Sequence, residues 1–150
     1  MKNFTQFTLE ERITIQNQLN SRTSFKALAA QLGKAPSSVS REIRRHIEKK
    51  ASGGYGRRFN DCLNRTSCNI ENACKGSLPC SSKFCRNCKH CQDYCSNYHK
   101  EICQKLTAPP YVCNGCEERP KCTLMKTLSD RRNSLCSLVV CLWRNLFTRP

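Results

Sequence analysis

The chain has 150 residues, of which 38% are hydrophobic even when its 14 Cys are counted, and only 7% are aromatic. This composition is too poor in apolar side chains for one large hydrophobic core, so we expect small domains that depend on something besides apolar burial. Lys and Arg number 26 against 11 Asp and Glu, a net charge of +15. Such an excess attracts polyanions, with nucleic acid first among them.

A membrane partner is not expected. The longest uncharged apolar run, residues 135–143, has nine residues, against about 20 for a membrane-spanning helix. The first residues lack the apolar core of a signal peptide. We therefore expect a cytoplasmic, nucleoid-associated protein whose cysteines are kept reduced and are available to a metal.

Composition divides the chain into four zones. Residues 1–48 contain no Cys and have helical patterning, and residues 49–60 form a basic, Gly-rich stretch that predicts a linker. Residues 61–128 hold 12 of the 14 Cys, and residues 129–150 match neither composition. The predicted fold is mainly α: a three-helix domain followed by a loop-rich, cysteine-rich region stabilised by zinc.

Two helices are predicted before residue 33. Thr8 and Glu11 have the spacing of a capping box, which predicts a helix from Leu9. Its expected apolar positions are Leu9, Ile13 and Leu19. Ser24 is expected to cap a second helix, which Gly33 ends because glycine accepts a left-handed backbone. The apolar side of this second helix comprises Phe25, Leu28, Ala29 and Leu32.

A third helix is predicted from Pro36, whose missing amide costs nothing in a first helical turn. Ala35 precedes it where Ser or Thr would cap better, so we expect a frayed start. A helix, a tight glycine turn and a second helix together indicate a helix-turn-helix.

The polar face of this third helix is the predicted DNA-binding surface. Val39, Ile43 and Ile47 are expected to face inward, which leaves a Ser- and Arg-rich face outward. Arg can bind guanine bidentately, and Ser near a helix N-terminus reinforces amide donors toward phosphate. Glu42, on the flank, is either an acceptor for a cytosine amine or an orienter of a neighbouring Arg. The predicted DNA-binding residues are Ser37, Ser38, Arg41, Arg44, Arg45, Lys49, Lys50, Arg57 and Arg58.

The basic helix and the Gly-rich stretch after it each have an alternative interpretation. A solvated basic helix in a structural bundle is the alternative, but pattern, turn and charge agree on DNA: residues 1–60 carry 12 basic and 4 acidic side chains, a net +8. Residues 53–58 could enter a minor groove, although a flexible basic linker is the simpler interpretation.

The segments FTLEERITIQ and LGKAPSSVSREIRR, with the following Cys-rich stretch, resemble the N-terminal part of bacterial insertion-element transposases of the IS-thirty family. The resemblance covers residues 1 to about 128. It implies a helix-turn-helix that recognises terminal inverted repeats of the element. It also implies a DDE catalytic domain that this chain lacks, as expected of a truncated transposase whose tail is frameshifted. Candidate partners are duplex DNA, a second copy of the chain or a full-length transposase.

The cysteine spacing predicts a metal site. Cys85/Cys88 and Cys113/Cys116 form two Cys-x-x-Cys pairs separated by 24 residues, which is typical of a zinc tetrathiolate, though slightly long. Cys85, Cys88, Cys91 and Cys95 also have the spacing of an iron-sulfur cluster, although the residues between them are polar. Metal-free thiols are the third alternative. The six expected metal ligands are Cys85, Cys88, Cys91, Cys95, Cys113 and Cys116, and chelation is expected to spare the front helices.

No catalytic constellation stands out. His90 or His99 could activate a cysteine, but nothing selects one pair. Asp61, Asp93 and Glu101 could be taken for a carboxylate triad, but scattered surface acids explain them better. We therefore expect a DNA-binding protein without catalytic activity, the alternatives being a free-standing transcriptional regulator and a zinc-stabilised interaction protein.

Overall fold

The computed structural model describes residues 6–79, 82–88 and 90–129. The predicted tail therefore lies outside the described residues, apart from Ser129, and so does Cys80. Two 3-10 turns occur at Cys85–Asn87 and Gln104–Leu106. The helices and strands are α1 (Leu9–Asn20), α2 (Phe25–Gln31), α3 (Pro36–Arg45), β1 (Ile47–Lys50), α4 (Cys91–Tyr94) and β2 (Lys126–Ser129).

The chain divides into two compact units. Unit 1 comprises the residues up to Glu48, Ala108–Cys116 and the chain from Thr127, and unit 2 comprises Lys49–Thr107 and Glu117–Lys126. Strands β1 and β2 pair in a two-stranded sheet. In the described part of the chain, no helix has the length and apolarity needed to cross a membrane.

The predicted caps of α1 and α2 are confirmed. The Thr8 hydroxyl accepts the Glu11 amide at 3.2 Å, and the Glu11 carboxylate accepts the Thr8 amide at 2.8 Å. The Ser24 hydroxyl accepts the Ala27 amide. Gly33 follows α2 with φ +61°, the left-handed conformation in which glycine avoids a side-chain penalty. The helix-turn-helix therefore has the turn that the sequence predicts.

Helix α3 starts at Pro36 as predicted, and Ala35 supplies no side-chain cap. It ends at Arg45, two residues earlier than the inward spacing of Ile47 implied. His46 is the C-cap and Ile47 opens β1. The prediction that Ile47 continues the helix was wrong, but its partly buried side chain still packs against the same core.

The core of unit 1 is small and apolar. Of the three apolar positions expected on α1, Leu19 is buried, whereas Leu9 is 36% exposed and Ile13 is only half-buried. Ile15 and Leu19, one turn apart, are the residues that α1 buries. The buried cluster consists of Ile15, Leu19, Leu28, Ala29, Val39, Ile43 and Val112.

Segment Ala108–Cys116 belongs to unit 1, although the sequence grouped it with the cysteine-rich region. Val112 is 5% exposed and lies in the helical core. The Arg22 guanidinium donates to the Gly115 carbonyl at 2.7 Å. A Cβ at Gly115 would lie 2.5 Å from the Leu19 carbonyl oxygen, so only glycine allows this approach. Asn114 adds hydrogen bonds to Asn20 and to the Ser129 amide.

Unit 2 is built mainly of turns, as its loop-rich prediction implies. Gly54 and Arg57 exchange two backbone hydrogen bonds at 3.0 Å, so residues 49–60, predicted as a linker, contain an ordered turn within this unit. Asn60 connects segments that are distant in the sequence. Its side-chain amide donates to the Arg86 carbonyl, and its backbone carbonyl accepts the Thr123 hydroxyl. Hydrogen bonds thus contribute much of the order in a unit with few buried apolar side chains.

Candidate nucleic-acid interface

The outward face of α3 carries the predicted DNA-binding side chains. Ser37, Arg41, Arg44 and Arg45 are exposed and Ser38 is half-buried, while Val39 and Ile43 are fully buried. Two buried residues one turn apart fix which side of the helix faces solvent. The structure therefore brings together on one helix the five α3 residues that the sequence selected.

Glu42 holds α3 against α1. Its carboxylate accepts the Arg12 Nε–H at 2.6 Å and lies 3.1 Å from His46 Nε2, and the residue is only 9% exposed. Glu42 thus pairs with an arginine, as one of its two interpretations held, but not with a neighbouring arginine of the predicted DNA-binding face. Its partner is Arg12 on α1, which is so distant in the sequence that no local pattern shows the contact.

Tyr111 positions Arg44. Its ring centroid lies 5.1 Å from the Arg44 guanidinium carbon and 6.2 Å from the Phe25 ring. Such a distance is within the range of a cation–π contact. Arg44 also donates to the Ser40 carbonyl at 3.4 Å. An exposed arginine on α3 is thus held on an aromatic face supplied by Ala108–Cys116.

The remaining predicted DNA-binding residues belong to unit 2. Lys49 and Lys50 are exposed at the end of β1, and Arg57 and Arg58 are exposed in the turn that follows. Arg57 donates to the Lys121 carbonyl at 2.7 Å within the same unit. Its guanidinium is therefore anchored at one edge, which leaves other donors of the planar group for a ligand.

Several predicted metal ligands share one cleft in unit 2, here called the thiol cleft. Its volume is about 270 Å³, and Cys74, Cys85, Cys88, His90 and Cys91 are among the residues that line it. The Cys85 sulfur accepts the Ala73 amide at 3.2 Å, and the Cys88 sulfur accepts the His90 amide at 3.5 Å. Backbone amides therefore contact both sulfur atoms.

Burial, followed by the nearby thiols of Cys95, Cys62, Cys68 and Cys85, raises the pKa of the Cys91 thiol to about 12. Cys91 and Cys95 are both buried. Without a cation, Cys91 is therefore a neutral thiol at pH 7.

Cys113 and Cys116 form their turn in unit 1. The Cys116 amide donates to the Cys113 carbonyl at 3.2 Å, and the Cys113 sulfur accepts the Thr127 amide at 3.4 Å. The two Cys-x-x-Cys pairs thus belong to different units. Across residues 6–79, 82–88 and 90–129, no three His, Cys, Asp or Glu side chains are arranged to hold a metal ion.

The three acids considered as a catalytic set have separate structural partners. Asp61 is 2% exposed and accepts the Tyr98 hydroxyl at 2.7 Å. Burial, followed by this hydrogen bond, raises the pKa of Tyr98 to about 12. Glu101 pairs with Arg65, and Asp93 lies 3.4 Å from His90 Nδ1.

Sequence reasoning missed four residues that contribute to the local structure of the two units. Cys74 was not among the predicted metal ligands, because it lies outside the Cys-x-x-Cys pairs. Arg65 and Arg86 carry no local pattern, since the turns of unit 2 bring together positions that are distant in the sequence. For Tyr111 the sequence does hold one indication. It adjoins Val112 in a stretch with few other large apolar residues, and such a pair needs a packing partner.

Residues 3–46 match the family model of a helix-turn-helix domain. The matched range contains α1, α2 and α3, so this part of the chain has a domain whose usual partner is DNA. No curated protein matches the chain. No solved structure matches it either.

Proposed function

We propose that the chain binds duplex DNA sequence-specifically through α3. The observation that carries the proposal is the outward set of Ser37, Ser38, Arg41, Arg44 and Arg45 on the last helix of a helix-turn-helix. In this motif the second helix of the pair lies in the major groove, where side chains near its N-terminus contact base edges. Arg41, exposed and one turn after Ser37, is the foremost base-contacting residue.

The test starts from selection of a preferred site out of a random duplex library with the full chain. Arg41→Ala is expected to weaken binding to that site by about 1–3 kcal/mol and to relax specificity at one position. Arg119→Ala, which removes an exposed arginine from unit 2, is the charge-matched control. Equal losses from both variants, or affinity that does not change with salt between about 50 and 200 mM, contradict the proposal.

The finer proposal is that this DNA is the terminal inverted repeat of an insertion element, bound without strand transfer by a truncated transposase in the cytoplasm. The resemblance in SVSREIRR supports it, as do the separate structural partners of Asp61, Asp93 and Glu101. Transposition chemistry needs closely placed carboxylates that hold two divalent ions. Incubation with end-containing DNA and Mg²⁺ or Mn²⁺ is expected to give binding but no nicks. Nicking that disappears in Asp61→Asn refutes it.

Two alternatives give different outcomes in the same assays. A free-standing regulator would select a site outside any inverted repeat, whereas the transposase proposal requires the selected site inside one. A zinc-stabilised interaction protein would bind DNA with salt sensitivity but select no sequence. A second copy of the chain or a full-length transposase, as proposed protein partner, is tested by co-sedimentation on the selected duplex.

We also propose structural zinc in the cysteine-rich region. Thiols are the ligand type that zinc prefers, and the thiol cleft gathers four of them beside His90. Zinc binding would lower the pKa of Cys91, since a coordinated cysteine is deprotonated. Native mass spectrometry and metal analysis of protein purified without oxygen test the proposal. Iron with acid-labile sulfide supports a cluster instead, and metal-free protein refutes both.

A further inference from the structure

A second cleft in unit 2, here called the arginine cleft, has the chemistry of a phosphate site. It has a volume of about 320 Å³, and Arg57, Arg58, Arg65 and Arg86 line it together with Asn, Ser, Thr and Gly residues. No Asp or Glu is among the described residues that line it. The volume is near the lower end of the roughly 300–1,000 Å³ found for ligand sites, which suits one or two phosphate groups better than a bulky organic ligand.

Three of the four guanidinium groups are fixed in place. Arg86 donates to the Cys68 carbonyl and to the Asn69 side chain, both at 2.9 Å, and its guanidinium carbon lies 4.7 Å from the Phe84 ring centroid. Arg65 pairs with Glu101 and donates to the Cys62 carbonyl. Arg57 is held by the Lys121 carbonyl. Because these are mostly neutral carbonyl acceptors, the positive charge of the cleft is largely uncompensated.

Arginines fixed in this way are suited to bind anions. A guanidinium has five N–H donors in a rigid plane, so one or two bonds to carbonyls leave a fork for phosphate oxygens. Fixing the side chain beforehand reduces the entropy lost on binding. Arg58 is exposed, like Arg57, and has no fixed partner among the described residues, so its side chain is free to turn toward a ligand in the cleft.

We infer that the arginine cleft is a second DNA contact, which takes the phosphodiester backbone without reading its sequence. The inference deepens the proposed function: α3 selects the site, while the cleft adds affinity for any duplex. The charge distribution favours this ligand, because backbone phosphates are the polyanion that Arg-rich surfaces bind most generally.

Salt titration of the full chain with a duplex of unrelated sequence tests the inference independently of sequence selection. The slope of log K against log salt is negative, and each lost phosphate contact reduces its magnitude by about 0.9. We expect this decrease for Arg58→Gln and about twice as much for Arg57→Gln/Arg58→Gln. Arg119→Gln, an exposed arginine in unit 2 outside the cleft lining, is the control, and circular dichroism verifies that each variant is folded.

The outcomes separate the two proposals. Equal slopes for Arg58→Gln and Arg119→Gln refute the cleft even if α3 selects a sequence, because net charge alone then explains the affinity. Decreased slopes in a chain that selects no sequence leave the cleft standing and refute specific recognition. Inorganic phosphate alone is titrated in parallel. Its binding to wild type but not to Arg58→Gln, with unchanged duplex slopes, assigns the cleft to a small phosphate ligand and refutes the inference.

Discussion

Val112→Ala is expected to loosen the helix-turn-helix, although Val112 lies far beyond Glu48 in the sequence. The Val112 side chain is buried in the core with Leu19, Leu28 and Val39. Truncation removes two methyl groups at about 0.8 kcal/mol each, and the cavity left behind raises the cost to about 2 kcal/mol. That cost corresponds to a roughly 30-fold increase in the equilibrium for opening α1 to α3.

Amide hydrogen exchange on the full chain measures this opening helix by helix, which matters because a chain with two units need not unfold in one step. The buried amides of α2 and α3 are expected to exchange faster in Val112→Ala by about that factor. Ile102→Ala is the control, since Ile102 is 64% exposed and its loss should change stability by less than about 0.5 kcal/mol. Unchanged exchange in α2 and α3 would show that Ala108–Cys116 is no part of the helical unit.

Three further predictions follow from single contacts. Tyr111→Leu is expected to weaken DNA binding about two- to fivefold in wild type and not in an Arg44→Ala background, as measured by a double-mutant cycle; equal losses in both backgrounds would assign Tyr111 to packing alone. Glu42→Ala is expected to cost about 1–3 kcal/mol of stability because it leaves the partly buried Arg12 unpaired, whereas a thermal melt like that of wild type would make this ion pair dispensable. The raised pKa of Tyr98 means that the folded state keeps its phenol neutral while the unfolded chain ionises near pH 10. The free energy of unfolding is therefore expected to fall from about pH 10 to 12. In a pH titration followed by phenolate absorbance, Tyr98→Phe should lack the step at the highest pH. A titration curve identical to that of wild type would contradict this.

Local chemistry explains what could be predicted from the sequence. The capping box at Thr8, the cap at Ser24 and the turn at Gly33 each depend on near neighbours in the chain, so the sequence shows them directly. The outward face of α3 follows from Val39 and Ile43 in the same way. On α1 the hydrophobic pattern was too weak, since Leu9 and Ile13 compete with Ile15 for the inward side.

Long-range contacts explain what could not be predicted. Arg12 on α1 pairs with Glu42 on α3, and Val112 joins a core formed by residues before Glu48. Composition grouped Ala108–Cys116 with the cysteine-rich region because of its two Cys, whereas burial of Val112 and the close approach of Gly115 determine where it packs. The zinc ligands remain a prediction, because thiol spacing alone does not say which Cys meet.

The late position of Val112 has a consequence for synthesis on the ribosome. At about 5–20 residues per second, translation from Glu48 to Val112 takes about 3–13 s, and because the exit tunnel delays both residues alike, about the same interval separates their emergence. During that interval the three helices have emerged without the residue that completes their core, so Leu19 and Val39 are less protected from water. The nascent helix-turn-helix is thus a substrate for chaperones and proteases until the later segment arrives, and the rate of elongation becomes a determinant of how much functional protein accumulates.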